Sequence, residues 1–214
     1  VSNNTALTLL VCNENQLTAL DVSSNTSLAD LQCPNNLLTS LDVSVNAALT
    51  SLEVHNNQLT YLNMKNGVTD ALTTFDATDN SLTCIEVNEE DVDWATENWT
   101  YENGNIDEGV EFSVVCVPEG YTYVPDNNFE QALVDLGYDD VVNDFVLTEN
   151  ISGVDALDLN EREISDLTGI EAFTALTGLN CDSNQLTALD ISANTALDTL
   201  YCSSNQLTTL DVSA

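Results

Sequence analysis

The chain has 214 residues, with 36 Asp or Glu against 2 Lys or Arg, a formal charge of −34. With Lys65 and Arg162 as the whole basic complement, little can displace counterions from phosphates, which excludes nucleic acid and anionic membrane surfaces as partners. Apolar runs of a few residues exclude a transmembrane segment, while 43% hydrophobic residues are too many for an acidic disordered tail.

The chain opens inside a repeat. Leu7, Leu28 and Leu49 follow one another at intervals of 21 residues, as do Leu10, Leu31 and Leu52, Asn15, Asn36 and Asn57, and Leu17, Leu38 and Leu59. A fourth copy, displaced by two residues near Asn66-Gly67, supplies Leu72, Phe75, Ala77, Asn80 and Leu82. Each copy holds two apolar steps of the form Leu10-Val11-Cys12 and Leu20-Asp21-Val22. Their alternation predicts two short strands per coil, each with one buried side. An Asn three residues after each step predicts a sharp bend, its amide bonding the backbone locally. One such coil cannot bury its own apolar side, so the core exists only through stacking.

From about Asn88 to Asp155 the repeat stops. Residues 84–116 carry Cys84, the acidic run Glu89-Glu90-Asp91-Val92-Asp93, Trp94, Trp99 and Cys116, and predict a C-terminal cap in which large aromatics cover the last coil. Residues 117–123 are expected to be a linker. Residues 124–150 predict an N-terminal cap with one short helix, started by Asp126, presenting Phe129, Leu133 and Leu136 on one side and ended by Gly137. The repeat then resumes: a degenerate copy with Val154, Leu157, Leu159, Arg162 in the Asn place and Ile164; then Leu176, Leu179, Cys181, Asn184, Leu186; then Leu197, Leu200, Cys202, Asn205, Leu207. The expected division is 1–116, the end of one solenoid with its cap, and 124–214, the cap and first coils of a second. On this reading the chain is a piece of a longer array, whose open coils would let molecules stack head to tail.

On these residues the chain resembles bacterial leucine-rich repeat proteins of the nested 21-residue, or IRREKO, type. Val54 and Ala77 in the Cys column, Phe75 for Leu and Arg162 for Asn depart from the pattern. The resemblance implies a leucine-rich-repeat solenoid of short parallel strands, in secreted or cell-surface proteins that bind something.

Four of the six cysteines, Cys12, Cys33, Cys181 and Cys202, fall in the inward column and are expected to be free thiols acting as small hydrophobes. Cys84 and Cys116 lie off that column within the cap and are expected to form a disulfide, which favours an oxidising, exported location. Catalysis is not expected. His55 is the only histidine, and no activated serine is defined near it. With 36 acidic residues, a carboxylate pair at any chosen spacing carries no meaning.

Asp21 and Asp42 stack coil on coil, as do Asp190 and Asp211, and need hydration, bonds to neighbouring Ser23 and Ser44 or turn amides, or a cation. Asp139, Asp140, Asn143 and Asp144 form an oxygen-rich cluster that could take calcium, the one cofactor entertained, without EF-hand spacing. For binding, the outward residues Asp30, Gln32, Glu53, His55 and Tyr61 make a varied patch, with Tyr61, Glu53 and Gln32 suited to carbohydrate if they share a face. The function expected is a non-catalytic extracellular module recognising polysaccharide or protein through outward strand faces. The alternative is a structural spacer or adhesin segment of a long repeat array, which calcium could stabilise.

Overall fold

A computed structural model describes residues 1 and 3–210, which divide into two compact units, Val1–Cys116 and Val117–Ala214. The expected residues Asp211, Val212 and Ser213 lie outside the described ones. Each unit is a leucine-rich-repeat solenoid with its own core.

In the first unit the strands are β1 (Leu9–Val11), β2 (Asp30–Gln32), β3 (Ser40–Asp42), β4 (Ser51–Glu53), β5 (Tyr61–Asn63), β6 (Thr74–Asp76) and β7 (Cys84–Glu86). The chain alternates between two parallel sheets, β1-β2-β4-β6 and β3-β5-β7, and the second is extended by β8 (Glu111–Ser113) from the cap. Register places like on like: Leu10 beside Leu31, Leu31 beside Leu52, Leu52 beside Phe75. The middle residue of each three-residue strand points inward, so Leu31, Leu52, Leu41, Leu62 and Ile85 are buried, and the flanking residues lie on the outward side, all of them at least partly exposed in these strands except Glu86. In the first coil the second step, Leu20-Asp21-Val22, runs alongside the solenoid without becoming a strand.

The bends are built by two columns of Asn. Asn36 donates from Nδ2 to Cys33 O and Pro34 O of its own coil and to Cys12 O of the preceding one, while its Oδ1 accepts Leu17 N at 3.0 Å. Asn57, Asn80, Asn184 and Asn205 repeat the pattern. The local bond expected of these amides is therefore half of their role; the other half ties coil to coil. The second column, Asn25, Asn46 and Asn194, donates to two carbonyls of the neighbouring coil. One residue before the first column the backbone turns left-handed, at Glu14, Asn35, Asn56, Asp79, Ser183 and Ser204, with φ between 54° and 58°.

The cap of the first unit completes bonds that a fifth coil would have made. Ala77 N donates to Asn105 O, Asn105 Nδ2 donates to Phe75 O, and the Asp107 carboxylate accepts Asp79 N and Asn80 N. Helix α1 (Val92–Asn98) lays Trp99 over the last coil, with ring centroids 4.2 Å from Phe75, 5.4 Å from Trp94 and 5.8 Å from Phe112. Helix was expected only in the second unit. Here Glu89–Asp91 form a 3-10 turn that leads into α1, whose first turn carries Asp93, and carboxylates suit this positive end of the helix dipole. Cys84 and Cys116 form a disulfide, Cα atoms 5.7 Å apart, and the four ladder cysteines are free.

The second unit begins with an antiparallel pair, β9 (Tyr121–Tyr123) and β10 (Phe145–Leu147), so the last three residues of the expected linker are strand. Between them α2 (Asn127–Leu136) is capped by Asp126, whose carboxylate accepts Asn128 N and Phe129 N, and closed by Gly137 at φ 81°. Phe129, Ala132 and Leu133 are its buried side. Leu136, at i+7 from Phe129, continues that side but is the last residue of the helix and is 40% exposed. After the short helix α3 (Thr148–Ile151) come β11 (Ala156–Asp158), β12 (Gly178–Asn180) and β13 (Thr199–Tyr201), one parallel sheet. The second step of these coils narrows to a single bridge residue at Asp190. Gly169, at φ 102°, passes the β9 backbone so closely that a Cβ would stand 2.8 Å from Tyr123 O. Arg162 replaces an Asn amide because it serves the cap: its guanidinium pairs with Asp135 of α2.

Candidate binding faces

Strands buried on one side offer the other side to solvent, and the expected patch residues distribute over these faces. Asp30, Gln32 and Glu53 stand on the β1-β2-β4-β6 sheet, where Val11, Gln32, Glu53 and Asp76 form one outward row and Leu9, Asp30, Ser51 and Thr74 the next. Gln32 Nε2 donates to both Asp30 oxygens at 3.2 Å. His55, just beyond β4, brings Nδ1 within 3.1 Å of Asp76 Oδ2, while Asp76 Oδ1 accepts Thr78 N and Thr78 Oγ1. Leu9 and Val11 are each 52% exposed on this face.

Tyr61 is not with them. It lies on β5 of the other sheet, so Tyr61, Glu53 and Gln32 do not form one carbohydrate site. What Tyr61 joins instead is a polar cluster centred on buried Glu86. Tyr61 Oη donates to Glu86 Oε2 at 3.3 Å, Lys65 Nζ stands 3.1 Å from the same oxygen, and Cys116 N donates to Glu86 Oε1 at 3.1 Å. Burial, then the charges of Glu86 and Asp42, push the Tyr61 phenol up to about 12. The cluster thus joins the face to the disulfide. Lys65 is visible in the sequence as a scarce base. Glu86 is hidden there among 36 acids, and only the strand register Asn63 to Glu86 identifies it.

The Asp column closes on itself. Asp21 Oδ1 accepts Ser23 N and Ser23 Oγ, Asp42 Oδ1 accepts Ser44 N and Asp190 Oδ1 accepts Ser192 N, each a two-residue turn. The Ser23 hydroxyl and then its amide hold Asp21 below the usual carboxylate range.

Asp139, Asp140, Asn143 and Asp144 lie in the loop between α2 and β10. Among the described residues no group of three or more His, Cys, Asp or Glu is placed to hold a metal ion. Asp139 Oδ1 accepts Asp140 N, and Asn143 Oδ1 accepts Phe145 N. The organising group of this loop is Glu130 of α2, fully buried, whose carboxylate accepts Asn143 N, Asp144 N and Phe145 N at 2.8, 3.0 and 3.1 Å. Its place in a helix, among so many acids, gave the residue no distinguishing mark.

In the second unit the β11-β12-β13 sheet presents two outward rows, Ala156, Gly178, Thr199 and Asp158, Asn180, Tyr201. Between them lies a shallow, mostly apolar cavity of about 250 Å³. Tyr201 stands beside it, 56% exposed. The spacing of the repeats held the strand but gave no reason to single out its last residue.

The buried ladder thiols, Cys33 and Cys181, are held in the protonated form. Burial, with each other's neighbouring thiols adding, pushes Cys33 and Cys181 up to about 12, which keeps them protonated at neutral pH. Among the described residues, no helix is long and apolar enough to cross a membrane.

No family model matches the chain. Over 70 residues, 33% of its length, the chain is 34% identical to internalin J of Listeria monocytogenes serotype 4b (strain F2365), and this stretch spans 8% of that protein. Among solved structures, the functional domain of InlJ from Listeria monocytogenes, described as including a cysteine ladder, shares 23% identity with a TM-score of 0.36, over 99% of this chain and 43% of that one. An internalin, InlF, from Listeria monocytogenes strain 4b F2365 shares 14% identity with a TM-score of 0.30, over 97% of this chain and 64% of the other.

Proposed function

We propose that this leucine-rich-repeat chain is a non-catalytic interaction module of an exported bacterial protein, taking a protein or polysaccharide on the outward faces of its strands. The observation that carries this reading is the division of labour within each strand. Middle residues such as Leu31, Leu52 and Phe75 hold the core, so flanking residues such as Val11, Gln32, Glu53 and Asp76 vary on a regular, rigid lattice. Binding surfaces need that combination of fixed backbone and free side chains. Similarity to internalin J favours the same reading, and the Cys84–Cys116 disulfide favours an oxidising compartment. Catalysis finds no support: the lone histidine faces Asp76, and the buried ladder thiols stay protonated.

The test is equilibrium binding of the immobilised chain to a panel of extracellular proteins and soluble polysaccharides at moderate salt. The triple variant Val11→Ser, Gln32→Ala, Glu53→Ala changes only outward side chains and should melt with the parent. Saturable binding weakened at least about tenfold in the variant, a loss of about 1.4 kcal/mol, supports the reading. Binding to no panel member, or full retention by the variant, overturns it for this face.

A further inference from the structure

The combination sought in the first unit, an aromatic surface beside a carboxylate and an amide, is assembled in the second by residues that the sequence does not single out. We propose that the outward face of the β11-β12-β13 sheet seats one neutral pyranose ring, stacked on Tyr201 and hydrogen-bonded by Asp158 and Asn180 over the gap at Gly178. This rests on the interaction-module reading and gives it a ligand class.

Strand register sets the geometry. Asp158 is paired with Asn180, and Asn180 with Tyr201, so the three stand in one row at steps of about 4.8 Å. In the adjacent row Gly178 offers no side chain, and nothing lies within 4 Å of where a Cβ would be. The missing side chain opens the floor of a cavity of about 250 Å³. That is below the roughly 300–1,000 Å³ of sites that enclose larger ligands, and suits a single ring.

The polar edge is already aligned. Asn180 Nδ2 donates to Asp158 Oδ1 at 3.0 Å, Asp158 Oδ1 also accepts Asn160 N at 3.2 Å, and Asn180 Oδ1 accepts Asp182 N at 3.2 Å. These bonds engage one carboxylate oxygen and one amide hydrogen. Asp158 Oδ2 remains as an acceptor and the second Nδ2 hydrogen as a donor, the pair that two neighbouring hydroxyls require. At the end of the same row, next to Asn180, stands Tyr201, an amphipathic ring 56% exposed, whose π face suits the C–H side of a sugar. A net charge of −34 disfavours uronates and sulfated or sialylated sugars, so the ring is a neutral one. A cationic side chain fits the seat less well, since Asp158 already shares its charge with two donors on Oδ1. The matching row of the first unit, Val11, Gln32, Glu53 and Asp76, has neither aromatic nor gap, which assigns the site to the second unit alone.

The experiment titrates the full chain with cellobiose, maltose, lactose and diacetylchitobiose, followed by amide chemical shifts. The parent should show saturable shifts centred on residues 156–158, 178–180 and 199–201 with at least one of them. Tyr201→Ala should weaken binding at least about tenfold and Gly178→Leu should abolish it, both keeping the parent's melting temperature. Tyr61→Ala, on the other unit, should leave it unchanged. Absence of saturable binding by all four sugars, or binding indifferent to Tyr201→Ala and Gly178→Leu, overturns the proposal. So does tetralysine occupying these residues in place of sugar, which would make the seat a cation site. Should the sugars fail while the partner panel still yields binding lost in the first-unit triple variant, the module reading stands and only this assignment falls.

Discussion

Asn36 shows what the Asn of the repeat supplies to its coil. Its side chain makes three donations and one acceptance, two of the four crossing to the preceding coil. Asn36→Ala leaves Leu17 N without its acceptor, at about 1–3 kcal/mol, and takes from Cys12 O, Cys33 O and Pro34 O one donor each, while Asn15 Nδ2, Asn57 Nδ2 and Glu14 N still reach them. Urea unfolding of the first unit should lose about 3 kcal/mol, and Asn36→Asp, which keeps only the acceptor, should recover part of it. A second residue carries a pH dependence. Asp126 is partly buried, which raises its pKa, but hydrogen bonds from Ser165, Phe129 and Asp166 outweigh this and hold it below the usual carboxylate range. A folded-state pKa below the unfolded value of about 3.9 means stabilisation present above that pH and lost as pH falls through the folded value. The stability difference between the parent and Asp126→Asn, measured from about pH 6 to about pH 2, should therefore shrink in the acid range; a constant difference would remove Asp126 from the linkage. Column membership of both Asn sets was legible, because identity recurs at a fixed step. The cross-coil half of each bond set was not, since no spacing rule says which carbonyl an amide reaches.

At the scale of the element, strands and caps obey different logic. Three-residue strands need one inward residue each, and the alternation of the repeat revealed nearly all of those in the first unit. In the second unit the second step around Asp190 forms a bridge rather than a strand, and that of the last coil runs into residues outside the described ones. Caps have no periodicity, so their aromatic content was legible and their elements were not: α1 and β8 appear only once the last coil is given something to pair with. Trp99 is the centre of that cap, buried against Phe75, Trp94 and Phe112. Trp99→Ala should cost the first unit about 3–5 kcal/mol by calorimetry, the range for deleting a buried aromatic, and leave the second unit's transition in place. The binding candidates divide the same way. Outward positions were readable from alternation, but which face each occupies depends on which of two sheets its strand joins. Tyr61 and Glu53, eight residues apart in the chain, sit on different sheets for that reason.

Across the whole molecule the two cores share no residue: buried residues of the first run from Val22 to Phe112, those of the second from Val124 to Leu189. Two cores predict two unfolding transitions rather than one. Only the first unit contains the disulfide, whose 32-residue separation corresponds to about 3–4 kcal/mol of loop entropy. A reducing agent should therefore lower one transition and leave the other fixed. Added sodium chloride should raise both, because screening relieves the self-repulsion of 36 acidic groups. A single transition that moves as a whole under reductant would show that the units unfold together.

The same disulfide also decides what tension can do. A solenoid under a pulling load gives up length one coil at a time. Cys84 and Cys116 short-circuit the residues between them, so a force applied through the chain bypasses α1, Trp99 and β8. The hidden slack is roughly 110 Å of extended backbone, at about 3.4 Å per residue. While the bond is intact, the cap cannot be drawn out as thread, and the last coil keeps its cover after the coils before it have begun to yield.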